Sequence, residues 1–200
     1  IAVKNQDDDG NAAGGADVET VSDEQIKTIL ALIEKTGTDI AKFADYRTGE
    51  QGVEYEREID ECMGAVDAIP CTTIAAVEGW AVGGGINIAS ACDFRIATPD
   101  AKFGSPIGRT IGNCLSAASV ARIGGAVGIQ FAKRMVLLGE MLTADQLLAS
   151  GFLLKLVAPE DMDAELTALC ARAAENAPLT TRATKETIRR MTLSQLPEVE

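Results

Sequence analysis

Residues 74–94 read IAAVEGWAVGGGINIASACDF. The apolar run that begins at Thr72 and ends at Val77, TTIAAV, has no polar alternation, which predicts a strand buried on both faces. Glu78-Gly79 starts a turn, and Gly83-Gly84-Gly85 leads into a short predicted helix through Ala91. Asp93 to Thr98 predicts a second strand, closed by the turn residues Pro99-Asp100. Glycines at the start of a helix let a ligand approach the backbone without meeting a Cβ atom. The first N–H groups of a helix have no internal acceptor, and the macrodipole adds positive potential there. Chemistry that develops negative charge on an oxygen would be stabilised at this spot. A bare glycine triplet is more often only a turn, and this one lacks the Lys-Ser/Thr of a phosphate loop and the spacing of a dinucleotide fingerprint.

Outward from this segment the pattern alternates. Upstream, Ser22-x-x-Gln25 is a capping box ahead of Ile26, Ile29, Leu30 and Ile33 at helical spacing, with Gly37 as a stop. A short helical stretch surrounds Ile40 and Phe43. A charged helix then runs from about 50 to 69, with Ile59, Cys62, Met63 and Val66 on its buried face and Pro70 ending it. Downstream, helices are predicted over 116–123 and 127–138, then a short one capped by Thr143 and closed at Gly151. Leu153 to Val157 predicts a third strand. Two helices follow, over 160–176 and 180–192, split at Pro178. Strands alternating with helices imply an α/β fold.

Composition narrows the function. The 200 residues carry 18 basic and 30 acidic side chains, a net charge of −12, so nucleic acid and anionic membrane are poor partners. Histidine is absent, which excludes serine–histidine and cysteine–histidine nucleophile pairs and every zinc site that needs imidazole; no metal is expected. Hydrophobic residues make up 46% and aromatics only 4%, so the core must be aliphatic. Cys62, Cys71, Cys92, Cys114 and Cys170 form no C-x-x-C pair and sit in apolar contexts, as buried reduced thiols do. No apolar run has the length of a membrane span, and IAVKNQDDDGNAAGG at the amino end is unlike a leader, so a cytoplasmic location is expected.

Several motifs now combine. Ile74-Ala75-x-Val77-Glu78-Gly79, Gly83-Gly84-Gly85 and Ser90-x-Cys92-Asp93-Phe94 resemble the signature of the crotonase (enoyl-CoA hydratase/isomerase) superfamily. Phe103-Gly104-Ser105-Pro106 is similar to that family's F-G-x-P turn. The stretch Thr143-Ala144 through Gly151-Phe152-Leu153 to Val157-Ala158-Pro159 resembles its T-A-x-x-A-x-x-x-G-L-V block, and Gly37-Thr38-Asp39-Ile40 its (A/G)-x-D-(L/I) turn. The resemblance covers about residues 36–192. It implies an α/β fold with a crotonase-like ββα spiral core and a C-terminal helical region. Residues 1–21 are then an acidic disordered tail, 22–158 the core and 159–200 the helical region. It also implies a homotrimer or homohexamer that binds an acyl-coenzyme A thioester and needs no cofactor, coenzyme A entering as part of the substrate. The family's oxyanion hole for the thioester enolate maps its two backbone N–H donors onto Thr38 and Gly84. Flanking substrate contacts fall on Asp39, Ile40, Gly83 and Gly85, and the nucleotide end is expected near Lys42 and Arg47.

The chain also departs from the family. Hydratase members carry two glutamates that handle the water and the α-proton; here those positions are Asn87 and Ile107. An amide has no usable pKa and isoleucine can do neither job, so standard hydration is not expected. Asp45, Glu78 and Glu140 are the remaining carboxylate candidates, although each reads as an ordinary surface charge or cap. A polar loop, Gly108-Arg109-Thr110-Ile111-Gly112-Asn113-Cys114, replaces the second glutamate's neighbourhood. In it Arg109 and Asn113 could hold a substrate carboxylate or carbonyl, and Cys114 lacks a visible partner. Residues 1–36 offer a tail and one helix where the family has a strand-rich half, so that part of the fold is expected to be missing or replaced. Two function classes stay open: an acyl-CoA enzyme acting as a lyase or isomerase by enolate stabilisation, and a catalytically silent CoA-binding or oligomer-forming protein.

Overall fold

The computed structural model describes residues 47–110, 112 and 114–193. The acidic tail, the helix read at 22–36, the Gly37-Thr38-Asp39-Ile40 turn, Lys42, Asp45 and Asn113 lie outside the described residues. Helix α1 (Gly49–Asp67) begins after Thr48, whose N–H donates to Gln51 Oε1 at 3.1 Å. Ile59, Cys62, Met63 and Val66 recur at helical spacing and form its buried face, as the periodicity predicts.

Among the described residues two three-stranded sheets follow. The first joins β1 (Ile74–Val77), β3 (Phe94–Ala97) and β6 (Lys155–Leu156), all parallel, in the order β1-β3-β6. The second joins β2 (Trp80–Val82), β4 (Lys102–Gly104) and β5 (Leu142–Thr143). In it β2 and β4 run parallel and β4 and β5 antiparallel. Helix α2 (Gly84–Ala91) crosses from β2 to β3. Short α3 (Ile107–Thr110), then α4 (Ala117–Val127) and α5 (Ile129–Leu137), lead to β5 and α6 (Ala144–Ala149). After a 3-10 turn at Pro159–Asp161, α7 (Met162–Ala174) and α8 (Pro178–Leu193) close the described chain.

Strand β1 is buried on both faces because two cores flank it. Ala75 and Val77 enter the main core with α1, α2 and α4, whereas Ile74 joins Ile96, Val157, Met162 and Leu166 beneath α7. The main core is aliphatic apart from Phe103 and Phe152, which meet edge to face with centroids 5.8 Å apart.

The structure corrects three sequence readings. Strands β2, β4 and β5 were not expected; they have three, three and two residues, too few for a two-residue period to show. The two carboxyl-terminal helices break where the sequence predicts, and Pro178 is the first residue of α8, where its missing N–H costs nothing. The expected loop after Pro106 begins as helix α3, whose Arg109 and Thr110 N–H groups both reach the Pro106 carbonyl. Cys114 is exposed, whereas Cys62 and Cys92 are buried and Cys71 and Cys170 half-buried; no disulfide links the five. Trp80, on β2, is 72% exposed. No helix among the described residues is long and apolar enough to cross a membrane.

Candidate active site

The glycine triplet and the F-G-x-P turn, read separately in the sequence, meet in space. β2 ends at Val82, and Gly83 then takes φ 57° and ψ −110°, a left-handed conformation that a side chain would strain. Its N–H donates to the Gly104 carbonyl at 3.0 Å, and its own carbonyl accepts the Asn87 N–H at 3.3 Å. This turn launches α2 from the end of the sheet. Among the described residues no backbone acceptor takes the N–H of Gly84, the first residue of α2. The opposite end of α2 is held by Arg95, whose guanidinium donates to the carbonyls of Ala89, Cys92, Asp93 and Phe152 and lies 4.6 Å over the Phe152 ring. A cation there complements the negative end of the helix dipole and fixes its axis. Burial lowers the Arg95 pKa from its ordinary value.

Gly104 is fixed by packing as well. A Cβ on it would lie 2.5 Å from Met141 Sδ and 3.0 Å from the Glu140 carbonyl oxygen. Gly104 closes β4 at a point where the backbone of Glu140 passes close by.

One turn into α2, Asn87 is 2% exposed. Its Nδ2 donates to Ser119 Oγ at 3.2 Å, and Ser119 Oγ donates to Asp60 Oδ1 at a long 3.4 Å. Ser116 caps α4: its hydroxyl accepts the Ser119 N–H at 3.0 Å and donates to Asp60 Oδ1 at 2.7 Å. The Ser116 N–H donates to Glu56 Oε2 at 3.1 Å. Two α1 carboxylates thus face the amino end of α4, where the helix dipole favours negative charge. Asn87 Oδ1 and Ser105 Oγ are buried without a partner among the described residues.

Sequence reasoning missed Asp60, Ser116 and Ser119. The available signal was Ser116 as a helix cap; the pairing with α1 depends on tertiary packing. Of the expected site residues, Gly83, Gly84, Gly85 and Asn87 cluster at the start of α2. Ile107 is half-buried on α3. Arg109 is exposed, and its Nη2 donates to the Gly139 carbonyl at 3.4 Å, on the side of α5. Glu78 is exposed. Glu140 is held by Arg134 at 2.7 and 2.5 Å, and this hydrogen bonding keeps its carboxyl below the usual range, so it is engaged elsewhere.

A second polar cluster anchors the carboxyl end of the chain. Lys185 of α8 reaches Asp93 Oδ2 at 2.6 Å, the Cys71 carbonyl at 2.9 Å and Thr73 Oγ1 at 3.4 Å. Asp93 Oδ2 also accepts the Thr73 N–H at 2.7 Å and hydroxyl at 2.8 Å, tying the start of β1 to the start of β3. Nearby, Arg122 donates through Nε and Nη2 to Asp67 Oδ2 at 3.0 and 2.9 Å. Burial nevertheless raises the Asp67 pKa, outweighing the attraction of Arg122. A cavity of about 630 Å³ lies between these ion pairs and the inner face of α8.

The family profile described as Enoyl-CoA hydratase/isomerase matches residues 33–200. The chain belongs to the enoyl-CoA hydratase/isomerase family. It is 31% identical over 159 residues to a probable enoyl-CoA hydratase, echA6, of Mycobacterium leprae, covering 78% of this chain and 64% of that protein. It is 30% identical over 155 residues to the short-chain-enoyl-CoA hydratase of Clostridium acetobutylicum, covering 77% and 58%. Among solved structures it is similar to an enoyl-CoA hydratase/carnithine racemase from Magnetospirillum magneticum, with a TM-score of 0.72 and 33% identity over 82% of this chain and 61% of that one. The crotonase-like α/β fold expected from the motifs is thereby established. The chain spans about three-fifths of the length of these family members.

Proposed function

We propose that the chain binds an acyl-coenzyme A thioester and stabilises its enolate oxygen with the backbone N–H of Gly84. The observation that carries this reading is the N–H of Gly84, which no backbone acceptor takes among the described residues and which the Gly83 turn sets at the positive end of a helix whose other end Arg95 pins. A donor so placed lowers a barrier by about 2.7–4 kcal/mol when it is aimed at the developing oxyanion. The family resemblance supplies Thr38 as the second donor, with Asp39, Ile40, Gly83 and Gly85 flanking the acyl group and Lys42 at the nucleotide end. Arg109, which donates to the Gly139 carbonyl at 3.4 Å, is kept as a further substrate contact of the reading.

The reaction is not standard hydration. Asn87 and Ile107 stand where the hydratase glutamates stand, and neither transfers a proton at neutral pH. Double-bond isomerisation, decarboxylation and thioester hydrolysis all use an oxyanion hole without that glutamate pair. The loss of both acids equally favours a second reading, a silent CoA-binding member of the family. Assembly into a trimer or its dimer suits the exposed apolar side chains of Trp80, Leu137 and Leu138. Light scattering that finds only monomer counts against it.

The test is a panel of acyl-CoA thioesters assayed for binding by calorimetry and for turnover. Crotonyl-CoA hydration is expected at background, and Asn87→Glu with Ile107→Glu is expected to raise it. Gly84→Val is expected to abolish acyl-CoA binding in folded protein. Unchanged affinity in that variant removes the oxyanion hole. Binding without any turnover selects the silent reading.

A further inference from the structure

The cavity of about 630 Å³ beneath α8 lies at the far end of α2 from the glycine turn. Ser90, on its wall, stands six residues beyond Gly84, about 9 Å along the helix axis, so this space is separate from the candidate oxyanion site. Arg122 of α4 lines it too, and Ser90 and Arg122 are only 8% and 6% exposed. Arg122 spends Nε and Nη2 on a single oxygen, Asp67 Oδ2. Its Nη1 has no partner among the described residues, and neither has Ser90 Oγ. A buried guanidinium with an unmatched nitrogen is costly and calls for an acceptor. The walls meet at one end, where a Cβ on Gly125 of α4 would lie 3.2 Å from Thr192 Cγ2 of α8.

The surroundings suit one negative charge. Arg95, Arg122, Lys185 and Arg189 line the cavity against Asp67 and Asp93, in a chain whose net charge is −12. Glu186, bonded to Arg189, offsets one of the two excess cations and leaves a single positive charge. The amino end of α8 opens here through Asn176, Ala177 and Thr180 and adds positive potential. The facing carbonyls of Ala89 and Cys92, at the negative end of α2, are already taken by Arg95. Ala91, Ala126 and Ile188 supply apolar wall, and the volume falls in the range of about 300–1,000 Å³ that holds organic ligands, more than an inorganic anion fills. We propose that this cavity is a second binding site, for a small organic monocarboxylate, with Arg122 Nη1 and the Ser90 hydroxyl donating to its carboxylate oxygens. Guanidinium and carboxylate match in shape and charge. A phosphate dianion would bring a second charge, uncompensated, close to Asp67 and Asp93. The proposal is independent of the thioester reading.

The test titrates butyrate, butan-1-ol and inorganic phosphate into the full chain by calorimetry, with thermal unfolding followed alongside. Butyrate is expected to bind at least about tenfold more tightly than the alcohol, the scale of one hydrogen bond to a charged group, and more tightly than phosphate. Ser90→Ala is expected to weaken butyrate by about fivefold with little change in the unfolding midpoint of the free protein. Arg122→Met combined with Asp67→Leu, which removes the ion pair as a unit, is expected to abolish the preference for butyrate over butan-1-ol. If that double variant does not fold, Ser90→Ala decides alone. Gly84→Val is expected to leave butyrate binding unchanged, since it alters only the other end of α2. Wild-type protein that ignores butyrate, or binds butan-1-ol equally well, overturns the proposal. Tighter binding of phosphate overturns the choice of a monocarboxylate. Butyrate affinity that survives Ser90→Ala and falls in Gly84→Val places the anion at the glycine turn and overturns the second site, leaving the thioester reading intact.

Discussion

Replacing Lys185 by methionine should loosen α8 from the body. The methionine stem fills nearly the same space but donates nothing. The lysine side chain is 11% exposed and serves three oxygens, one of them the Asp93 carboxylate. A hydrogen bond to a charged group contributes about 1.5–3 kcal/mol and a neutral one about 1 kcal/mol. The 3.4 Å contact to Thr73 adds little. Asp93 keeps both Thr73 donors after the substitution, so its carboxylate is not orphaned and the β1–β3 junction holds. The expected loss is therefore about 2.5–4 kcal/mol, or about 5–16 °C in Tm for a chain of this size. No described side chain of α8 is fully buried, and Leu179, Ile188 and Met191 are 62%, 58% and 66% exposed, so apolar burial contributes little to holding the helix. Its detachment should precede global unfolding. Circular dichroism melting gives the first number, and trypsin cleavage at the basic residues of α8 should accelerate under native conditions. Unchanged melting together with unchanged cleavage would refute the assignment of Lys185 as the fastening of this helix.

Arg122→Met should cost about 3–5 kcal/mol in urea unfolding by stranding Asp67, whereas Arg122→Met with Asp67→Leu should recover most of it. Because burial raises the Asp67 pKa above its ordinary 3.8, its contribution to stability is present below that value and is lost as pH rises through the folded-state value; a pH series on Asp67→Asn should lack that component. Gly104→Ala should cost about 1–3 kcal/mol, since the new Cβ meets the Glu140 carbonyl as well as the flexible Met141 side chain; chemical denaturation checks it. Thiol alkylation followed by mass spectrometry should modify exposed Cys114 well before Cys92, whose pKa burial lifts to about 11.

What the sequence made legible was whatever repeats along one element. The buried face of α1 follows from Ile59, Cys62, Met63 and Val66, and the doubly buried β1 from an apolar run without alternation. The α2 start was legible because the glycine triplet stands between an apolar strand with its Glu78-Gly79 turn and the mostly apolar run from Ile86 to Ala91. Strands of two or three residues left no period to read, and they exist because neighbours pair with them. The same limit applies to the site. Asp60 looks like any charge on a charged helix until α4 docks and brings Ser116 and Ser119 to it. Lys185 likewise reads as one cation among several on α8, and only the packing selects it for Asp93.

Trp80 is the single tryptophan of the chain, it is 72% exposed, and it precedes the Gly83 turn by three residues on β2. The protein therefore carries its own optical reporter at this edge. Indole in water emits at long wavelength and is readily quenched by iodide, and both properties reverse when the ring is covered. Emission colour and quenching, followed during dilution or ligand titration, would register subunit association or ligand-linked movement beside the glycine turn without an added label.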